Sequence, residues 1–184
     1  MATFRTSPHG SAADPSVPHL ILVGLPGAGK STVGAALARE LARTFLDLDA
    51  EIVRRNGMTI SEIFAQGGEP HFRELEHALT EELSELDGMV LSPGGGWVAR
   101  PDTVALLRPP AQMIYLRVRP RTAINRMGRS VATRPLLGRP NPAGELERLL
   151  EERKAAYESS DVVVDVERVA IPEVVRRIVS ALRP

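Results

Sequence analysis

The chain has 184 residues, with 23 basic and 23 acidic side chains and no formal net charge. That balance excludes a chain-wide attraction to nucleic acid or membrane, so any anion site has to be built locally. There is no cysteine, which excludes disulfides and thiol chemistry and suits a reducing cytosol. No apolar run approaches the ~20 residues that span a bilayer.

The length fits one domain. Residues 1–18 (MATFRTSPHGSAADPSVP) carry no apolar periodicity and read as a disordered tail, leaving residues 19–184 as the folded unit. The tail lacks the apolar core of a secretion signal and carries Asp14, although a transit peptide is a second reading. The first strand is expected over Leu20 to Val23. GLPGAGKST follows, residues 24 to 32. The spacing Gly24-x4-Gly29-Lys30-Ser31 is a P-loop signature. Its glycines let backbone N–H groups turn inward around phosphate oxygens, Lys30 adds a charge for the outer phosphates, and Ser31 is placed to ligate Mg²⁺. A helix starting near Lys30, with Val33, Leu37 and Leu41 on one face, aims its positive end at the same anion.

A second strand is expected over Thr44 to Leu46 and ends in Asp47-Leu48-Asp49. On an extended backbone the two carboxylates share a face at the carboxyl end of a strand, the ligand edge of an open α/β sheet. Asp47 then serves a magnesium-bound water and Asp49 an acceptor hydroxyl. The alternative is that Asp49 caps the helix that follows. Thr59 and Glu62 form a capping box before Ile63. A helical pattern then runs from Phe72 to Leu86, with Arg73 and Glu76 one turn apart, either a pair that holds a functional guanidinium or an exposed ion pair.

The third strand, Met89 to Leu91, leads into SPGGGWV. Three glycines in a row, Gly94, Gly95 and Gly96, are costly to order, and close approach of backbone to a ligand is one reason to keep them. A plain flexible turn is the other reading. That strand ends in Ser92, where many P-loop enzymes carry a Walker B carboxylate, so the magnesium carboxylate comes from elsewhere. There is no Asn-Lys-x-Asp guanine reader, which argues against a GTPase. Trp97 has no assignable role, and His71 and His77 read as surface or helix residues. A fourth strand is expected over Met113 to Val118 and a fifth over Val162 to Val164, with late helices around Leu146 to Leu150 and Val174 to Leu182. Between them, residues 128–144 (GRSVATRPLLGRPNPAG) form a Pro/Gly-rich, Arg-bearing loop that reads as a lid. Strands alternating with helices predict an α/β fold with a parallel sheet between two helical layers.

GLPGAGKST, DLD, FRELE, SPGGG, RPLL and ERKAAY, in that order, resemble the shikimate kinase family. The resemblance implies a three-layer α/β/α domain of the P-loop kinase type, with a five-stranded parallel sheet in the order 2-3-1-4-5. It implies transfer of phosphate from ATP, with Mg²⁺, to the 3-hydroxyl of shikimate, in aromatic amino-acid biosynthesis. Asp49 then binds acceptor hydroxyls and assists removal of the proton. Arg73 and Arg153 grip the substrate carboxylate, the middle glycine of Gly94 to Gly96 supplies a backbone donor, and Glu76 supports the pocket. Gly27, Ala28, Gly29, Lys30, Ser31 and Thr32 hold ATP, with Ser31 and Asp47 at the metal. Arg134 of RPLL reaches the phosphates on lid closure, beside Lys30. An arginine stacks on adenine, for which Arg126 and Arg129 both qualify. Asp165-Val166 stands where the family often has Asp-Thr, with Pro172 closing that adenine loop. The family expectation is a cytoplasmic monomer that binds neither nucleic acid nor membrane. Two rival readings are another small-molecule kinase of the gluconate type, and a kinase-like ligand sensor without catalysis.

Overall fold

The computed structural model describes residues 17–131, 137 and 140–182. The expected tail lies almost wholly outside the described residues, and so does the centre of the expected lid, Arg134 included.

Four apolar residues, Leu20–Val23, form β1, and all four are buried. Strands β2 (Phe45–Asp47) and β3 (Val90–Ser92) follow, then β4 (Gln112–Arg117) and β5 (Val162–Asp165). All pairings are parallel, and the order across the sheet is β2-β3-β1-β4-β5. The central strands are apolar at nearly every position because a parallel sheet is covered on both faces. Expected strand ends at β2, β3 and β4 are off by one residue, and β5 runs one residue past its expected end. The ladder settles them: Asp47 still pairs with Ser92, and Gln112 with Leu20.

The helices are α1 (Lys30–Glu40), α2 (Leu48–Asn56), α3 (Ile60–Ser84), α4 (Pro101–Val104), α5 (Pro120–Met127), α6 (Pro142–Glu158) and α7 (Ile171–Leu182). The Thr59/Glu62 capping box is formed in both directions at the start of α3. Gly68, with φ 70°, breaks α3 into two segments just before Pro70, so the helix expected from Phe72 onward is its second part. His19, almost fully buried, clips the start of β1 to α3. Its Nε2 faces the carbonyl of Leu83 at 3.0 Å, and its Nδ1 accepts from the N–H of Met89 at 3.1 Å.

β1 leads to β2 on one side and its neighbour β4 leads to β5 on the other. Their connections therefore part at the carboxyl ends of the strands, which opens a crevice there. The P-loop sits on one wall of that crevice and the glycine run after β3 sits beside it.

Candidate active site

The loop Gly24 to Gly29 turns back on itself where the N–H of Ala28 donates to the carbonyl of Leu25 at 3.1 Å. Gly27 has φ 81°, and a Cβ there would lie 2.4 Å from the carbonyl oxygen of Ala123, so only glycine lets the loop pass α5. Lys30 opens α1 and its Nζ reaches back to the carbonyls of Gly24 (3.0 Å) and Leu25 (3.2 Å). The ammonium is thereby held over the loop where an anion would lie. Ser31 and Thr32, exposed, occupy the first turn of the same helix.

Asp47 and Asp49 need a correction. The backbone is not extended across both. Asp47 ends β2, and its Oδ1 accepts from the N–H of Ala50 at 3.1 Å, which caps α2. The N-cap is therefore Asp47, not Asp49, and Asp49 lies in the first helical turn. The two carboxylates face different partners. Asp47 Oδ2 receives the Ser31 hydroxyl at 2.5 Å. Asp49 turns toward the glycine run, where a Cβ on Gly94 would stand 2.8 Å from its Oδ1.

The Ser31–Asp47 pair fits Mg²⁺. Magnesium is ordinarily held by one or two carboxylates plus substrate phosphates, with waters completing the octahedron. Here a hydroxyl and a carboxylate adjoin the loop that would hold those phosphates. Among the described residues, no cluster of three or more His, Asp or Glu side chains offers an all-protein cage.

Across the crevice, α3 brings Arg73 and Glu76. Arg73 Nη1 donates to Glu76 Oε2 at 2.7 Å. Its Nε and Nη2 donate to Glu69 Oε1 at 3.2 and 2.8 Å. The guanidinium also lies against the Phe72 ring, 5.3 Å from its centroid. Gly96 passes so close that a Cβ there would fall 2.2 Å from Arg73 Nη2. Burial pushes the Glu76 carboxyl up to about 7, and the nearby Asp49 adds to the rise while Arg73 opposes it.

Arg153, from α6, is only 7% exposed. It is not part of a solvated helix face. Its Nη1 donates to the carbonyl of Gly95 at 2.8 Å, and among the described residues no carboxylate pairs with it. A Cβ on Gly95 would stand 3.3 Å from the same nitrogen. The guanidinia of Arg73 and Arg153 thus meet consecutive glycines.

Several residues that the motifs did not single out hold this arrangement. Tyr157 donates from its hydroxyl to the Gly95 carbonyl at 3.1 Å. It lies four residues after Arg153, on the same helix face, a spacing that could have found it. Trp97 is fully buried, and its Nε1 donates to Thr80 Oγ1 at 3.1 Å. Thr80 in turn donates to the carbonyl of Glu76 at 2.7 Å, so the indole ties the glycine run to the turn of α3 that carries Arg73 and Glu76. His77 sits on α3 with Nδ1 2.9 Å from Thr103 Oγ1, away from this chemistry.

On the nucleotide side, Arg126 Nη2 donates to the carbonyl of Val166 at 2.6 Å, and Nη1 reaches that of Ala28 at 3.5 Å. It therefore bridges the P-loop and the segment that leaves β5 at Val166, the residue after Asp165. Pro172 is the second residue of α7. The side chain of Arg129 is outside the described set.

A parallel sheet in this order, with a P-loop after its first strand, is the P-loop kinase fold, and the crevice defines a small-molecule phosphotransferase. A family model described as shikimate kinase matches residues 26–183. A shikimate kinase of Thioalkalivibrio sulfidiphilus is 43% identical over 161 residues, covering 87% of this chain and 84% of the relative. One of Pseudomonas entomophila is 45% identical over 150 residues, 81% of this chain and 87% of the relative. The structure of shikimate kinase from Acinetobacter baumannii in complex with shikimate superposes with a TM-score of 0.85 at 35% identity, over 90% of this chain and 93% of that one. A gluconokinase from Sinorhizobium meliloti, at 22% identity and a TM-score of 0.60, shares the fold alone. The chain belongs to the shikimate kinase family.

Proposed function

We propose that the protein transfers the γ-phosphoryl group of ATP to the 3-hydroxyl of shikimate, giving shikimate 3-phosphate and ADP, a step toward aromatic amino acids. The observation that carries this reading is the pair of guanidinia, Arg73 and Arg153, set against adjacent glycines of one loop. Shikimate carries one carboxylate, and charge-assisted hydrogen bonds to it are worth ~1.5–3 kcal/mol each. A neutral sugar acceptor does not need such a clamp.

With the carboxylate so held, the ring hydroxyls lie toward Asp49. Asp49 accepts the proton of the 3-hydroxyl as its oxygen bonds to the γ-phosphorus and the bond to the ADP oxygen breaks. Backbone N–H in Gly94 to Gly96, chiefly Gly95, donates to the substrate, and Glu76 keeps Arg73 in place. Gly27, Ala28, Gly29 and Thr32 line the phosphates with Lys30, whose ammonium balances charge spread over the transferring group. Ser31 and Asp47 would hold Mg²⁺, which when bound would offset negative charge on the nucleotide's phosphates. Arg126 covers the adenine. Arg134, outside the described residues, adds a second cation at the phosphates.

The test is ADP release by the purified protein with ATP and Mg²⁺, comparing shikimate with gluconate and AMP. Stimulation by shikimate alone is expected. Stimulation by gluconate or AMP instead, or none despite tight ATP binding, would overturn the assignment.

A further inference from the structure

Among the described residues one cation, Arg73, hydrogen-bonds the Glu76 carboxyl. The Glu76 side chain is 2% exposed, and Oε2 takes the hydrogen bond from Arg73. Oε1 is buried and receives no hydrogen bond among the described residues. Asp49 comes to the same place from α2. A Cβ on Gly94 would stand 2.8 Å from Asp49 Oδ1 and 3.2 Å from Glu76 Oε1, so two acidic oxygens flank one glycine. The other charges around them are Glu69 on α3, Arg100 beyond the glycine loop, and Arg153 from α6 at Gly95. All three nitrogens of Arg73 are engaged, Nε and Nη2 on Glu69 and Nη1 on Glu76, which leaves one N–H on each terminal nitrogen for a ligand.

An anionic substrate has to enter this cluster. Glu69, half exposed, can be displaced into water, whereas Glu76 cannot leave. The incoming carboxylate then shares Arg73, the cation that chiefly offsets the Glu76 charge, with Arg100 contributing less. It also expels water from beside a carboxyl already buried. Both changes disfavour the ionised form.

We propose that Glu76 takes up a proton as the substrate's carboxylate docks on Arg73, so that substrate binding and protonation of this residue are linked. The inference rests on shikimate being the ligand. In the free site the carboxyl titrates near neutrality, at about 7, chiefly through burial. Binding moves it higher, so uptake is largest above that pH. Affinity for shikimate then weakens as pH rises past neutrality, by up to about tenfold per unit for one linked proton. Neutral Glu76 acts here as a positioning residue: it releases Arg73 to the substrate and removes like-charge repulsion beside Asp49.

Calorimetric titration of the full chain with shikimate at pH 8, in phosphate and in Tris, reads the proton directly. Shikimate's own carboxylate stays ionised there. The expected result is a buffer-dependent enthalpy corresponding to uptake of about half a proton or more. Glu76→Gln should bind with a buffer-independent enthalpy, and Asp49→Asn should keep the uptake. A buffer-independent enthalpy in the unmodified protein overturns the linkage, and that result needs no variant to fold. Uptake that persists in Glu76→Gln, or vanishes in Asp49→Asn, overturns it too. If shikimate does not bind at all, the proposed function fails and the linkage with it, an outcome distinct from binding without proton exchange.

Discussion

Tyr157 and Arg153 donate to one atom, the carbonyl oxygen of Gly95, at 3.1 and 2.8 Å. The tyrosine is fully buried and stacks on Tyr115 with ring centroids 4.9 Å apart. The two donors pin the middle of the glycine run, whose residues are costly to order. Tyr157→Phe keeps the stack and removes one donor. It should cost about 1 kcal/mol of stability. The KM for shikimate should rise about two- to fivefold, the equivalent of roughly 0.5–1 kcal/mol, with kcat near normal. Thermal unfolding and steady-state kinetics measure both.

Arg73→Ala and Arg153→Ala should each weaken shikimate binding by about 10- to 150-fold, the worth of a charge-assisted pair. Nucleotide affinity should stay close to that of the parent, because the hydrogen bonds of the two guanidinia among the described residues go to Glu69, Glu76 and Gly95, not to the P-loop. Calorimetric titration with each ligand separates the two. Equal losses for both ligands would remove the carboxylate clamp.

Asp49→Asn should lower turnover by about 10²–10⁴ if the carboxylate takes the hydroxyl proton. The residue lies inside α2 and is not its cap, so the circular dichroism spectrum should be unchanged. A variant that retains more than about a tenth of the parent rate would rule out that role.

Asp47→Ser isolates the metal role from the structural one. Serine still caps α2, so stability should change by only a few tenths of a kcal/mol. The carboxylate facing Ser31 is lost, and the Mg²⁺ concentration for half-maximal rate should rise about tenfold or more. A magnesium titration of the rate that matches the parent's would disprove the assignment.

Glu76 sets the sign of one stability change. Its folded-state pKa is raised to about 7, so the folded protein holds a proton that the unfolded chain has lost. Stability therefore falls as pH rises from the ordinary carboxylate range through neutrality, and the full cost is present above the folded pKa. Glu76→Gln abolishes that slope. Its stability relative to the parent should climb between pH 5 and pH 8, by roughly 3 kcal/mol at most, and its melting temperature with it. Denaturation scans at the two pH values give the comparison.

The P-loop and its flanking strand and helix were legible in the sequence because glycine spacing, an apolar run and a helical repeat are all local. The capping box at Thr59 was legible for the same reason: its two hydrogen bonds close within four residues. The sheet order followed from the assembled motifs and their family resemblance, not from any one of them. Pairing register was harder to read, since each expected strand end depended on a partner distant in the chain. Asp47-Leu48-Asp49 looked extended because the pattern carries no sign of where a strand yields to a cap, and that choice belongs to the Asp47–Ala50 hydrogen bond. Arg153 is the sharpest case. In the sequence it stands among EERKAAY, a charged stretch that by itself reads as a solvated helix face, and only the family resemblance makes it functional. Only the packing of α6 against the glycine run buries it beside Gly95. Trp97 is similar, its indole reaching Thr80 across seventeen residues of chain. Residue types and local spacing thus determined which chemistry the protein carries. The tertiary structure decided which charges lose their water, because burial is a property of elements that meet from far apart in the chain.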